Sequence, residues 1–395
     1  MRLGVLGTRI TVHGRNLLAG AQLVNVTLAE VVVPVKNIAL QSDTQVVFAA
    51  PQGSNFKSGD VRLTSSNGAN VAGGSFVYGE YGEVISVEPK LGAFGTRVEI
   101  RGSNLLLGGS RIASLSLNSV YVTGFLANET SISFQAPRGN AGTGPICIES
   151  DNGGYIVASD TWTFLVPPAV FAASPSSGTA GTVVVLYGTN LRGAGEKVVR
   201  CTFAGVEAEI LDESNVLVRV KAPEGAEGSG DIRLWSNDGA ESLLEDGWRF
   251  LASAVVDRVE PRVGQFGTTI TISGQHLVVG TSGLLSVTLD GVEASIQHAT
   301  ETGIILKAGR GSGQASLAAG DIVVTSTTLA SYTVPDAFSY LNIGDIDVVL
   351  PPSGITGTRL TLLGQNLLAG GSYLNRATLV GVNATILSAT NRKVS

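Results

Sequence analysis

Apolar and polar positions alternate along this chain in five short segments that all begin the same way. Each follows a Gly-Thr pair, at Gly7-Thr8, Gly95-Thr96, Gly181-Thr182, Gly267-Thr268 and Gly357-Thr358. The third residue after the glycine is Ile10, Val98, Val184, Ile270 or Leu360, and the fifth is Val12, Ile100, Leu186, Ile272 or Leu362. Between them stand Thr11, Glu99, Val185, Thr271 and Thr361, mostly polar. A period of two puts one set of side chains on each face of an extended segment, so each reads as a half-buried β-strand. The segment closes seven residues after the first glycine on a second phrase, Gly-x-Asn-Leu, at Gly14, Gly102, Gly188, Gly274 and Gly364. In the fourth copy His276 replaces the asparagine.

The residues around this strand predict turns and further strands. Pro-x-x-Gly-x-x-Gly-Thr precedes it, as in Pro89, Gly92, Gly95 and Thr96; proline fixes φ and glycine admits positive φ, so this is a turn. A phosphate cradle would need a helix after the glycines, and no segment carries a 3.6-residue period. Later in each unit come Ala50-Pro51, Ala136-Pro137, Ala222-Pro223 and Ala308-Gly309, and then another short alternating strand. Three of these strands run into the hairpin words Asn67-Gly68, Asn152-Gly153 and Asp238-Gly239,. Units close on Phe76, Phe164, Phe250 and Phe338, with Trp162 and Trp248 two residues before two of them. These aromatics are expected in core and rim packing.

The copies begin 88, 86, 86 and 90 residues apart, the mark of one small domain repeated,. Seven or so short strands per unit with no helix predict tandem immunoglobulin-like β-sandwiches. The expected units are 1–80, which lacks its first strand, 81–167, 168–252, 253–341, and 342–395, which is partial. Both end units read as interrupted, as in a segment of a longer array. Linkers between units are short, so the expected shape is an elongated rod of roughly 150 Å at about 3.3 Å per strand residue.

Composition narrows the functions open to such a chain. Its 395 residues are 44% hydrophobic and only 15% charged, too apolar for disorder,. The net charge is −6 and no run of Lys or Arg occurs, which argues against nucleic acid or an anionic membrane surface as partner,. No apolar run approaches the length of a membrane span, so no direct membrane insertion is expected.

At these residues the chain resembles the IPT/TIG family, the immunoglobulin-like domains of plexins and some transcription factors. The likeness rests on Pro-x-x-Gly-x-x-Gly-Thr, the alternating strand, Gly-x-Asn-Leu, Ala-Pro, the Asn-Gly hairpin and the closing Phe, recurring in register over nearly the whole chain. It implies an all-β, early-set immunoglobulin-like fold. It also implies a non-enzymatic, structural or adhesive segment of a large extracellular or cell-surface protein, whose partners are other protein chains, including copies of itself, or glycans. A receptor ectodomain segment and a spacer beside a polysaccharide-active domain are its alternatives. The shared motif is structural and carries over no functional residue.

Candidate chemistry is sparse. His13, His276 and His298 do not recur between units, so no catalytic residue is assigned. Acids flank three linkers, at Glu80 and Glu83, Asp257 and Glu260, and Asp345 and Asp347, but one linker, 165–169, has none. They read as solvated acids, and neither metal nor cofactor is expected. By register Cys201 falls on a core-facing strand position and Cys147 on an outward one, which predicts two free thiols. Three sequons, at Asn25, Asn128 and Asn383, permit N-glycosylation in as many places as the Asn, Ser and Thr content yields by chance,.

Overall fold

The computed structural model describes residues 3–281, 283–316 and 318–395. Among them there is no α-helix; strands and turns account for the chain, with one 3-10 turn at Val35–Asn37. The second repeat shows the plan. Arg97–Ser103 lies between Glu83–Glu88 and Ser131–Gln135 in one antiparallel sheet, with the two-residue Leu126–Ala127 at its edge. The facing sheet runs Leu91–Gly92, Tyr155–Phe164, Gly142–Ser150, Ile112–Leu117 and Val120–Tyr121. The opening strand thus changes sheets at the cis Glu88–Pro89 bond: before it the chain pairs with Arg97–Ser103, after it Leu91–Gly92 pairs in parallel with Tyr155–Phe164. Cis bonds also precede Pro175, Pro261 and Pro351.

Alternation gives full burial in the three repeats that have both the opening strand and a facing sheet. Val98, Ile100, Val184, Leu186, Ile270 and Ile272 are buried, each inside the core cluster of its own repeat. Ile10 and Val12 are half-buried against the first repeat's core. Leu360 and Leu362 are half-buried too, in a fifth repeat formed only of Asp345–Leu350, Thr361–Gln365 and Lys393–Val394 with the hairpin Ala377–Leu379 and Val382–Ala384. In the third and fourth repeats the strands Val206–Glu213 and Val292–Ala299 run long enough to pair in both sheets and join them at one side.

The register corrects one alignment made from sequence. Leu91–Gly92 pairs with Phe164, and the equivalent glycines pair with Tyr78, Phe250 and Tyr340. The closing ring is therefore Tyr78 or Tyr340 in the first and fourth repeats. Phe76 and Phe338 align with Trp162 and Trp248, two residues earlier. Each pair of rings meets edge to face with centroids 5.0–5.9 Å apart, a favoured aromatic geometry. The sequence pointed to the wrong member because both positions are aromatic and tyrosine and phenylalanine exchange between them.

The joints between repeats as candidate functional site

The glycine, asparagine and leucine of Gly-x-Asn-Leu each have an assignable task. The glycine passes so close to the first residues of the opening strand that a side chain has no room: a Cβ on Gly102 would run into the Glu83 carbonyl oxygen, and on Gly274 into that of Val255. The asparagine sits at positive φ, 46° at Asn104 and 51° at Asn190, a conformation its short amide tolerates,. From there it donates to a carbonyl of the linker entering its own repeat: Asn104 Nδ2 to Glu80, Asn190 Nδ2 to Val166 at 3.3 Å, Asn366 Nδ2 to Ile343 at 3.4 Å. The leucine is buried in Leu17, Leu105, Leu191 and Leu277. The motif therefore packs the core on one side and clamps the linker on the other.

Gly-Thr works with the hairpin of the following repeat. The threonine hydroxyl first locks its own turn, accepting the amide of Val5, Ala93, Gln265 or Ile355 three residues before. The turn then receives the hairpin tip. At the first joint Arg9 N donates to the Asn152 carbonyl at 2.8 Å and Tyr155 N to the Leu6 carbonyl at 3.1 Å. At the second, Arg97 N donates to Asp238 at 2.9 Å and Glu241 N to Phe94 at 3.0 Å. Thr96 Oγ1 also donates to Asp238 Oδ2. At the third, Val183 N donates to the Thr328 carbonyl at 2.9 Å. Docking buries Thr8, Thr96 and Thr182, whereas Thr268, which receives no hairpin, stays half-buried.

The hairpin is itself held by its first residue. Asn152 Nδ2 donates to the Leu107 carbonyl, and Asp238 Oδ2 accepts from Ala194 N, so each tip is tied to the turn that follows Gly-x-Asn-Leu in its own repeat. Val5 adds an apolar contact across the first joint: it is buried and belongs to the core cluster of the second repeat. Sequence reasoning treated the glycines of these two words as turn geometry within a unit and missed that they meet. The available signal was their shared recurrence at a fixed offset along the array.

The residues singled out from sequence lie apart. His13, His276 and His298 are exposed on different elements. Glu80, Glu83, Asp257, Glu260, Asp345 and Asp347 are exposed, and among the described residues no group of three acids, histidines or cysteines converges. Cys201 is buried in the third core, which pushes its thiol up to about 12, and Cys147 is half-buried in Gly142–Ser150; both are free. Their register matches the sequence alignment, Cys147 opposite Ser116 and Cys201 opposite Leu234. Asn25, Asn128 and Asn383 are all exposed, and Asn128 Oδ1 accepts from the Thr130 and Ser131 amides. No described helix is long and apolar enough to cross a membrane. A shallow depression at the second joint is lined by Phe94, Arg138, Pro167, Pro168, Glu241 and Leu243, with Arg138 stacked 4.2 Å over Phe94.

Tandem immunoglobulin-like sandwiches joined head to turn define a modular repeat protein. The sequence profile of the IPT/TIG domain matches residues 4–78, 83–164, 168–247 and 254–340, and the chain belongs to that family. No curated protein matches the chain. Among solved structures it is similar to the full extracellular region of plexin A4, with 14% identity and a TM-score of 0.38 over all of this chain and 41% of that one. It is also similar to a Bacteroides ovatus SGBP-B from a mixed-linkage glucan utilization locus, solved with a heptasaccharide. There the identity is 11% and the TM-score 0.21 over 78% of this chain and 87% of that one. Invasin, a bacterial integrin-binding protein, matches with 8% identity and a TM-score of 0.23 over 85% of this chain and 79% of that one. No residue role passes from these structures to this chain.

Proposed function

We propose that this chain is a non-enzymatic structural and adhesive segment of a large extracellular or cell-surface protein, built of five units with the bounds read from sequence. The observation that carries the reading is the recurrence of one joint. Three successive repeat pairs bring the same turn to the same hairpin through backbone groups at equivalent positions. At the first two joints a pair of such bonds, one on each side of the turn, makes the direction of one repeat follow from that of its neighbour, which suits a part that holds distance. The recurring bonding groups of the motif are spent on the linker and the neighbouring repeat, and among the described residues no three histidines, cysteines or acids converge. Protein chains, including further copies of this one, and glycans are the partner classes in this reading.

Solution X-ray scattering of the full chain tests it. A rod of roughly 150 Å has a radius of gyration of about 40 Å, against about 21 Å for a compact globule of this length. A value near the globular figure would sink the reading.

A further inference from the structure

We infer that the joint between the third and fourth repeats is the compliant one in this array, and that Leu329 makes it so. At the first two joints a glycine of the turn faces a glycine of the hairpin with no space to spare. A Cβ on Gly153 would lie 2.9 Å from the Gly7 carbonyl oxygen, and one on Gly239 would lie 2.8 Å from that of Gly95. Seen from the turn, a Cβ on Gly7 or Gly95 would lie 2.6 Å from the opposing carbonyl oxygen. At the third joint the hairpin reads Thr328-Leu329-Ala330-Ser331, and leucine stands where the other hairpins have glycine.

Leu329 adopts the glycine-like backbone, φ 68°, and so carries its Cβ into the place where Gly153 and Gly239 carry none. The hairpin stands off in consequence. From Gly181 the nearest hairpin atom to a Cβ position is Ala330 Cα at 3.6 Å. The bond from Val183 N to Thr328 survives, but the second backbone bond does not form. Ser331 N has no bond to the Ala180 carbonyl to match those of Tyr155 to Leu6 and Glu241 to Phe94.

Two further contacts are missing at the same place. The Thr182 hydroxyl is buried without a hydrogen-bond partner, so its turn lacks the lock that Thr8 and Thr96 supply. His276 replaces the asparagine that clamps the linker in the second, third and fifth repeats, and it makes no bond to the linker carbonyls. A single backbone bond between two sandwiches defines a contact point without defining an angle, whereas two bonds on either side of a tight glycine pair define both. The array therefore divides into a braced block of the first three repeats and a fourth that swings on it.

Pulsed spin-label distance measurements on the full chain test this. Ser133, Arg219 and Ile305 occupy equivalent exposed positions in the second, third and fourth repeats. In a Cys147→Ser background, with Cys201 buried, labels at Ser133→Cys and Arg219→Cys span the second joint, and labels at Arg219→Cys and Ile305→Cys span the third. The expected distribution across the third joint is at least about twice as wide. Leu329→Gly should narrow it towards that of the second joint, and Gly239→Leu should widen the second. Equal widths in the parent chain overturn the inference, as does a wide third joint that Leu329→Gly leaves unchanged.

Discussion

At the scale of single residues, glycine matters here by what it leaves vacant. Gly102 follows a bulge between Arg101 and Gly102 that brings the strand's end against Glu83. A Gly102→Ala chain must push the Glu83 carbonyl aside and should lose about 1–3 kcal/mol, the usual cost of forcing atoms into a filled site. Gly73 is the control. It lies in Asn70–Tyr78 with open space around its Cβ position and an ordinary φ, so Gly73→Ala should be neutral or slightly stabilising,. Denaturant unfolding followed by repeat-resolved hydrogen exchange separates the two. Equal effects would mean that the close approach at Gly102 has no energetic weight.

At the scale of elements, the third repeat carries a brace the others lack. Arg192, just after Gly-x-Asn-Leu, donates Nε and Nη2 to the Glu213 carboxylate at 2.9 Å each, and Val198 N donates to the same group. The Arg192 bonds hold the Glu213 carboxyl below its ordinary range. A carboxyl depressed in the folded state stabilises that state above its ordinary value, near pH 4.3. The contribution disappears as pH falls through the folded value. Melting temperature between about pH 5 and pH 2 should therefore fall less steeply in a Glu213→Gln chain than in its parent; parallel curves would remove the brace from the account of stability. The pair was invisible in sequence because 21 residues separate its members and no period links them. The strands themselves were legible, since alternation such as Val98-Glu99-Ile100 reports a buried face directly. So were the free thiols, because register transfers from one repeat to the next. The joints were not, because hydrophobic period describes what one sandwich buries and is silent on which backbone groups two sandwiches exchange.

At the scale of the whole molecule, the question is whether neighbouring repeats share stability. Separate core clusters in four repeats argue for independent folding, as expected when each sandwich closes on itself. Val5 breaks that separation. It lies in the turn of the first repeat, is 3% exposed, and packs over Gly154 into the core that holds Leu107 and Ile156 of the second. In a chain of repeats, stability is a sum of unit terms and nearest-neighbour terms, so a contact of this kind couples two units. Val5→Ala removes two buried methyl groups, worth about 1–2 kcal/mol. If Val5 acts only within its own repeat, the loss is confined there. The cross-joint packing predicts instead that the core amides of the second repeat, Ile146 and Ile148 among them, exchange faster in the Val5→Ala chain while those of the fourth, Ile322 and Val324, are unchanged. Native-state hydrogen exchange reads both at once. A response limited to the first repeat would show that the joint fixes geometry without transmitting stability.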